Sequence, residues 1–327
     1  MTLPINLPTA ATAASRIAGI GSFRPARVVT NDDLATIMDT NDGWIQSRVG
    51  IAERHFADET ETVSFMGAAA GRLAIQDAGL TADDIDLVIV ATCTLPTPIP
   101  HAATKVAAEL GIQAPGSFDL NAACAGFCYG LATASALIRS GEATNVLLVG
   151  SEKLTDWTEP TDRATAIIFA DGAGAVVVTG SETVDIGPVS WGCAVENTET
   201  IAVKDRHSFI IQEGQTVFRW ATTAIAPVAI DAAARAGVAL ADIDVFVSHQ
   251  ANLRIVESIA KKLVAAGARP DLLVAKDIIE TGNTSSASIP IALDRMRQAG
   301  EVKSGDLVLA VGFGAGLTYA SQVFRCP

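Results

Sequence analysis

AGLTADDIDLVIVATC, residues 78–93, returns in altered form as AGVALADIDVFVSHQA, residues 236–251. Each copy contains a glycine that ends a helical segment, an acidic turn, and an apolar run typical of a buried strand. Self-similarity at a long spacing indicates a duplicated structural unit more firmly than local propensity does. The sequence therefore predicts two similar halves, each with a buried strand that follows a helix.

A second pair of stretches supports the duplication. ALIRSGEATNVLLVG ends at Gly150, and DRMRQAGEVKSGDLVLAVG ends at Gly312. Between these anchors the first half has NAACAGF and the second has GNTSSASIP, which places Cys124 and Asn283 at equivalent positions. We expect the two strand-to-helix junctions to face one another.

Strands that alternate with helices predict parallel, buried sheets with right-handed crossovers. The predicted fold class is α/β, as a layered α-β-α-β-α sandwich whose two halves are related by a pseudo-dyad. We predict a flexible N-terminal tail over residues 1–15, an N-terminal half over 16–180 that carries the candidate cysteine, and a C-terminal half over 181–327. Sites in such folds collect at the carboxyl ends of the strands.

The composition excludes several classes of protein. Of 327 residues, 49% are hydrophobic and 18% are charged, which is typical of a soluble α/β enzyme. The formal net charge of −13 argues against binding to nucleic acid or to an acidic membrane, because the mean field repels phosphates. The apolar runs are far shorter than the roughly 18 residues of a membrane span. The N-terminus lacks the pattern of a signal peptide, so we expect a cytoplasmic protein.

The cysteines are expected to be free thiols, because five of them occur without metal-ligand or disulfide spacing and so predict no metal site. Cys124 follows the predicted strand SFDL and should lie in the first turn of a helix, where amides and the helix dipole favour a thiolate. For a cysteine taken alone, packing in the core is the commoner role, by about four to one. Cys128, one turn later, fits that packing role.

His249 and Asn283 also occupy predicted strand-to-helix junctions. In isolation, the histidine could be a hydrogen-bonded core residue and the asparagine a turn or cap residue. Together with Cys124 they suit acyl transfer between thioesters, because a thiol can accept the acyl group while two neutral donors polarise a second carbonyl. The loop GFGAG, which contains Ala315, could add a backbone amide to an oxyanion hole with the amide of Cys124.

These residues resemble the thiolase-fold condensing enzymes, and among them the 3-oxoacyl-[acyl-carrier-protein] synthase III family. The resemblance runs from Arg16 to the C-terminus and is carried by NDGWIQSRVGIAERH, NAACAGF, DRATAIIFADGAGAVV, SHQANLRI, GNTSSASIPIAL and GFGAGLTYASQ. It implies that Cys124 takes an acyl group from coenzyme A and that malonyl-acyl carrier protein then loses carbon dioxide. The enolate so formed would attack the acyl-enzyme, with His249 and Asn283 as neutral donors to it. The amides of Cys124 and Ala315 would form the oxyanion hole.

The resemblance also implies binding residues. Trp44, Arg48 and Arg163 match contacts to the nucleotide end of coenzyme A, and four residues match the pantetheine channel, namely Gly214, Phe218, Ala251 and Asn252. For a single arginine, a surface salt bridge would be the commoner role, by about three to one. Four basic residues would form the local patch that an acidic carrier protein needs, namely Arg219, Arg254, Lys261 and Lys262. No permanently bound cofactor is implied, since the coenzyme A thioester is a substrate.

The proline-rich loop TCTLPTPIPHAATK is expected to be stiff and irregular. In the family, the matching loop crosses the interface of a homodimer and helps to close the partner's acyl pocket. Ile99 stands at the tip, where a phenylalanine is common, and a smaller branched residue would admit a branched or longer primer than acetyl.

Several alternatives share parts of this pattern. A secondary-metabolite priming ketosynthase or a thiolase-fold acyltransferase would use the same three residues, and so would a type III polyketide synthase, although the basic helix after His249 favours a carrier-protein partner. A hydroxymethylglutaryl-coenzyme A synthase needs a glutamate base near the cysteine, for which the sequence offers no convincing match. A non-catalytic acyl-coenzyme A binding protein would not require all three polar residues. A Cys/His hydrolase would require an acidic residue to orient the histidine.

Overall fold

The computed structural model describes residues 14–327, which form fourteen strands and nine α-helices. The strands are β1 (Ala14–Phe23), β2 (Arg27–Thr30), β3 (Glu53–Phe56), β4 (Leu87–Ala91), β5 (Gly116–Leu120), β6 (Asn145–Lys153), β7 (Asp171–Ser181), β8 (Ser190–Cys193), β9 (Ile201–Val203), β10 (Ile210–Gln212), β11 (Val245–Ser248), β12 (Leu273–Val274), β13 (Leu307–Gly314) and β14 (Thr318–Arg325). The helices are α1 (Asn31–Ala35), α2 (Asp42–Val49), α3 (Val63–Asp77), α4 (Ala102–Leu110), α5 (Gly126–Ser140), α6 (Gly214–Arg235), α7 (Leu253–Ala265), α8 (Ile278–Thr281) and α9 (Ser288–Gln298).

The two large sheets have the same strand order, which confirms the duplication. The first runs β5-β4-β6-β7-β1 and the second runs β12-β11-β13-β14-β8. In each sheet the first three strands are parallel and the last two are antiparallel to their neighbours. Every strand of the first sheet therefore has a counterpart at the same place in the second.

Three apolar clusters separate the layers. Helices α3 and α4 pack on the outer face of the first sheet, and α6 and α7 pack on the outer face of the second. Helices α5 and α9 lie between the sheets, where Phe127 and Phe324 are fully buried. Burial of each such ring contributes about 1.5–3 kcal/mol to stability. The predicted α-β-α-β-α order is thus confirmed.

A smaller unit lies beside these layers. Strands β2 and β3 form a two-stranded sheet, and an apolar cluster joins it to α1, α2 and α8. Gly50, which ends α2 with φ 74°, leaves no room for a side chain because its Cβ would lie 2.4 Å from Leu253 of α7. This contact sets α2 against the second half. Within residues 14–327, no helix is long and apolar enough to cross a membrane.

Two matched glycines let each half touch the helix-entry turn of the other. A methyl carbon on Gly150 of β6 would lie 2.6 Å from the carbonyl oxygen of Ser286, and one on Gly312 of β13 would lie 2.9 Å from Cα of Ala125. Distances this short to backbone atoms cannot be relieved by a change of rotamer. The strands therefore approach the turns only because both positions lack a side chain.

The register between the two turns differs from the one predicted. Asn121 accepts a hydrogen bond from the N–H of Ala123, and Asn283 accepts one from the N–H of Ser285 in the same way. Ala123 and Ser285 also share positive φ values of 45° and 49°. Asn283 is therefore the counterpart of Asn121 rather than of Cys124. Helix α9 is shorter than α5, so an alignment anchored on the glycines after the two helices assigns the wrong counterpart to the turns before them.

The predicted N-terminal tail needs one correction. Residues 1–13 lie outside the described residues, whereas Ala14 and Ser15 belong to β1 and pair with Ser181 and Gly180. The tail prediction was therefore wrong for these two residues, since their backbone completes the edge of the first sheet. The proposed division of the chain at residue 180 stays a prediction.

Substitution of Gly150 by alanine is expected to destabilise the protein by about 1–3 kcal/mol, because the added methyl overlaps the turn that carries Ser286. Gly43→Ala is the matched control. Its Cβ would meet only the Asn41 side chain, at 3.5 Å in α2, so that variant should unfold at the parent temperature or above it. Thermal denaturation of both variants measures the difference. Equal melting temperatures would contradict the tight approach.

Candidate active site

A cavity of about 660 Å³ brings the predicted chemical residues together. Cys124, His249, Asn283 and Ala315 all line it, although they come from four separate junctions. Cys124 and His249 come after the parallel strands β5 and β11, Asn283 comes after the short helix α8 that follows β12, and Ala315 directly follows β13. The cavity thus lies where the carboxyl ends of the strands of both halves meet.

The Cys124 thiol is surrounded by hydrogen-bond donors. It lies in a short 3₁₀ turn, Ala123–Ala125, directly before α5, and Gly314 passes so close that a Cβ there would lie 2.9 Å from its sulfur. Burial raises the pKa of the thiol to about 12, although the Ser285 hydroxyl and the amides of Cys124 and Ala315 hydrogen-bond the sulfur. The expected stabilised thiolate was therefore wrong for the free protein, because burial outweighs the amide dipoles.

His249 is held as a neutral hydrogen-bond donor. It follows β11, and its ring Nδ1 lies 2.8 Å from the Ser288 hydroxyl, which itself accepts a hydrogen bond from the N–H of Gln250. Among the described residues, Nδ1 is the acceptor that the structure offers to the Ser288 hydroxyl, so the hydroxyl donates to Nδ1 and the ring hydrogen lies on Nε2. Burial lowers the pKa of His249 to about 3. The imidazole is thus neutral at physiological pH, with an Nε2–H group.

Asn283 is oriented by its own turn. Its backbone N–H donates to the carbonyl of Ile168 at 2.9 Å, and its side-chain Oδ1 accepts from the N–H of Ser285 at 2.9 Å. Gly282, with φ 77°, allows the sharp change of direction before it. Since Oδ1 is already engaged, the Nδ2 amino group is the donor that this side chain offers to the cavity.

Comparisons with known proteins identify the family of this chain. Residues 118–194 match the model described as 3-oxoacyl-[acyl-carrier-protein (ACP)] synthase III, and residues 233–326 match the model of its C-terminal part. A β-ketoacyl-[acyl-carrier-protein] synthase III of Streptomyces avermitilis is 47% identical over 317 residues, which cover 96% of this chain and 99% of that protein. The chain belongs to the 3-oxoacyl-[acyl-carrier-protein] synthase III family.

Solved structures of this family have the same fold. The synthase III of Aquifex aeolicus superposes with a TM-score of 0.90 at 38% identity, over 96% of this chain and 100% of that one. A priming β-ketosynthase from a polyketide biosynthetic pathway superposes with a TM-score of 0.94 at 39% identity, over 99% of both chains. The thiolase-like fold expected for a synthase III is therefore confirmed.

The outer end of the cavity is lined by an aromatic and basic cluster. Arg163 lies over the ring of Trp44, with its guanidinium carbon 4.5 Å from the ring centre, and Arg48 lies at 5.5 Å. The Arg163 guanidinium also donates to the Asp39 carbonyl at 2.8 Å. Asn252 caps α7 and donates to the Arg48 carbonyl at 3.2 Å. A planar ring with two guanidinium groups beside it is well suited to a flat, phosphate-bearing group.

The remaining predicted residues divide between the cavity and the surface. The four expected channel residues all line the cavity, namely Gly214, Phe218, Ala251 and Asn252. Of the basic residues, Arg219 and Arg254 line it, and Arg254 lies 5.0 Å over the Phe218 ring. Lys261 and Lys262 lie further along α7, outside the lining, and Lys262 donates to the Thr222 carbonyl. Ile99 is 80% exposed and is not part of this chain's own cavity lining.

Sequence reasoning missed several residues of the site. Cys93 and Ser285 line the cavity, Ser288 orients the histidine, and the Phe313 ring packs edge-on against His249 with centres 5.3 Å apart. Glu152 lies behind the cavity, fully buried and hydrogen-bonded to Ser285. The serines lie within GNTSSAS, a run that is unusually polar for a buried helix start. This polarity could have indicated that the serines belong to the site. Nothing local in VLLVGSEK connects the glutamate to the cysteine.

The neutral state of His249 can be measured directly. Nitrogen-15 NMR of the imidazole is expected to show the Nε2–H tautomer, with no protonation near the ordinary pKa of 6.5. The folded-state pKa lies below the unfolded value, so the stability that this residue contributes is present above about pH 6.5 and is lost as the pH falls towards 3. A titration midpoint near 6.5 in the folded protein would contradict the assignment.

Proposed function

We propose that this chain starts acyl-chain synthesis by condensing an acyl-coenzyme A primer with malonyl-acyl carrier protein, through an acyl group held on Cys124. The observation that carries the proposal is the convergence of the Cys124 thiol, two neutral donors and two backbone amides on a single cavity. Membership of the synthase III family supports the reaction class. Cys124, His249 and Asn283 are the catalytic residues in this proposal.

In the first half-reaction, the Cys124 sulfur attacks the thioester carbonyl and the coenzyme A thiol departs. Negative charge develops on the carbonyl oxygen in the transition state. The amides of Cys124 and Ala315, which lower the pKa of the thiol by hydrogen bonding, belong to residues of the cavity lining and would stabilise that charge. Backbone amides serve this role without a side chain, so alanine at position 315 is compatible with it.

In the second half-reaction, malonyl-acyl carrier protein loses carbon dioxide and its enolate attacks the acylated cysteine. The Nε2–H of His249 and the Nδ2–H of Asn283 would hydrogen-bond the thioester oxygen as it gains charge. Neutral donors favour this reaction, because a cation would also stabilise the malonyl carboxylate of the ground state. A histidine whose pKa is lowered to about 3 by burial meets this requirement.

The coenzyme A thioester binds as a substrate, and no permanently bound cofactor enters the proposal. Its adenine would stack at Trp44 between Arg48 and Arg163, and its pantetheine arm would pass the channel residues Gly214, Phe218, Ala251 and Asn252. The two arginines on one ring support the first part, since guanidinium groups bind phosphates and stack on flat rings. The carrier protein would dock at a patch formed by Arg219, Arg254, Lys261 and Lys262.

We propose that the chain functions as a homodimer. Strand β5 lies at the edge of the first sheet and exposes Phe118, and unprotected strand edges pair with other chains. Ile99 lies nearby in sequence and is 80% exposed, which is unusual for an isoleucine. We propose that it closes the acyl pocket of the partner and that its size admits a branched or longer primer. The cytoplasmic location stays a prediction.

A second candidate function is supported by one comparison. The priming β-ketosynthase of a polyketide pathway superposes with the TM-score of 0.94 given above. Such an enzyme would use the same site and would differ in its primer and its carrier protein. An acyltransferase that keeps the three residues but forms an ester would release no carbon dioxide. Turnover with acetyl, isobutyryl and hexanoyl coenzyme A, together with a search for ester products, separates these possibilities.

Substitutions of the three catalytic residues are expected to affect different half-reactions. Cys124→Ala should abolish acylation and condensation, while His249→Ala and Asn283→Ala should each slow malonyl decarboxylation by about 10²- to 10³-fold, because each removes one donor to the enolate. The last two variants should still accept the acyl group from coenzyme A. Carbon dioxide release and acyl-enzyme formation are measured separately. Condensation by Cys124→Ala at the parent rate would overturn the proposal.

Carrier-protein docking is tested by reversing charge on α7. The double variant Arg254→Glu/Lys261→Glu is expected to raise the KM for malonyl-acyl carrier protein, because the exposed patch would then repel an acidic partner. Acyl transfer from coenzyme A should change little. Lys303→Glu, before β13 at the opposite end of the strands, is the matched control. An unchanged carrier-protein KM in the double variant would exclude this patch.

A further inference from the structure

A buried carboxyl group lies behind Cys124, and the proposed mechanism does not use it. Glu152, near the end of β6, has no exposed surface and does not line the cavity. Its Oε1 accepts hydrogen bonds from Ser285 Oγ at 3.0 Å, Ser286 Oγ at 2.8 Å and Cys93 Sγ at 3.4 Å. Its Oε2 accepts hydrogen bonds from Thr92 Oγ1 at 3.1 Å, the Cys93 amide at 3.0 Å and Thr94 Oγ1 at 2.7 Å. All six donors are uncharged. Burial of a carboxyl group among neutral donors costs stability compared with an apolar side chain.

Ser285 connects this carboxyl group to the reactive sulfur. Its hydroxyl donates to Oε1 of Glu152 at 3.0 Å and lines the same cavity as Cys124, whose thiol pKa it lowers by hydrogen bonding. The backbone of Ser285 has φ 49°, a conformation that side-chain-bearing residues rarely adopt. The Asn283 side chain fixes that conformation by accepting the Ser285 N–H. The hydroxyl is therefore held between the sulfur and the carboxyl group.

The network can accommodate one more proton on Oε1. Ser286 Oγ lies 2.8 Å from Oε1 and 2.8 Å from the carbonyl oxygen of Ala91, yet a hydroxyl has a single hydrogen to donate. When Glu152 is ionised, one of these two acceptors goes without that hydrogen. When Oε1 is protonated, it can donate to Ser286, whose own hydrogen then goes to Ala91. Protonation of Oε1 therefore lets Ser286 form hydrogen bonds with both neighbours at once, which the ionised state does not allow.

His249 is not arranged to accept the thiol proton. Its Nε2 already carries hydrogen, and its Nδ1 accepts from Ser288. A thiolate beside an ionised Glu152 would place two negative charges in one buried region, and the charge of Glu152 does raise the pKa of the thiol. Transfer of the proton to Glu152 keeps the number of buried negative charges at one.

We propose that Glu152, acting through the Ser285 hydroxyl, accepts the thiol proton of Cys124 during acyl transfer and returns it to the departing coenzyme A sulfur. The inference rests on the proposed function, because it assigns a proton path to its first half-reaction. Ser285 touches the reacting sulfur, and Glu152 is a positioning residue that acts through it.

The step balances in atoms and charge. The S–H bond of Cys124 breaks as its sulfur bonds to the acyl carbon. The proton moves to Ser285 Oγ, and the serine's own hydrogen moves to Oε1 of Glu152. When the bond between the acyl carbon and coenzyme A breaks, the same path returns a proton to the coenzyme A sulfur. Glu152 ends in the state in which it began, and no oxidant or other co-reactant is required.

Two variants test the relay. Glu152→Gln keeps the shape of the side chain but does not accept the proton, and Ser285→Gly removes the hydroxyl at a position whose φ of 49° suits glycine. Both are expected to slow acyl transfer from acetyl coenzyme A by roughly 10²- to 10⁴-fold. Their rates should rise about tenfold per pH unit, steeper than the parent, because solvent must then remove the thiol proton. Glu152→Gln, at a residue that does not line the cavity, should still decarboxylate malonyl-acyl carrier protein at the parent rate.

The controls separate this role from a structural one. Thr94→Val removes a donor to Oε2 but leaves the path through Oε1, so it should lower stability while acyl transfer keeps the parent's rate and pH profile. If folded Ser285→Gly, or Glu152→Gln, transfers the acyl group at the parent rate with the parent pH profile, the relay is wrong. If the parent protein itself forms no acyl-cysteine, the proposed function fails instead.

Discussion

The close approach of the two halves at Gly150 and Gly312 is the constraint on which the site depends. Each glycine lies on a central strand and lets the backbone of the opposite half come within a distance that a methyl group would prevent. The turn of Cys124 therefore rests on β13, and the turn of Ser286 rests on β6. These two contacts bring side chains from the two halves, more than 120 residues apart in sequence, into one cavity. Each half packs a strand against the turn of the other half.

Burial then decides the chemistry of the groups so gathered. The same exclusion of water that raises the pKa of Cys124 to about 12 lowers that of His249 to about 3, so a neutral thiol and a neutral imidazole face one cavity. Neutral donors act on charge that develops in the transition state and not on charge already present. The thiol in turn needs a proton acceptor, and the carboxyl group of Glu152 is the group that the fold places behind it.

The sequence predicted the duplication, the layered sandwich and the residues that meet in the cavity, because all of these follow from repeated patterns of strands, glycines and polar residues. It did not predict which positions of the two turns correspond, since helices of unequal length shift the alignment between Asn121 and Asn283. The thiolate expected at Cys124 was wrong because desolvation depends on packing from both halves. The carboxyl network was missed because Glu152 meets Thr92 and Ser285 only in three dimensions.

The most direct test of the account is to locate the acyl group by peptide mass spectrometry after brief exposure of the protein to acyl coenzyme A. Cys93 and Cys124 share the cavity, so the measurement discriminates between two real candidates. The acyl group is expected on Cys124 alone, and it should be lost, with release of carbon dioxide, when malonyl-acyl carrier protein is added. Acylation of Cys93, or an acyl group on Cys124 that malonyl-acyl carrier protein does not consume, would contradict the account.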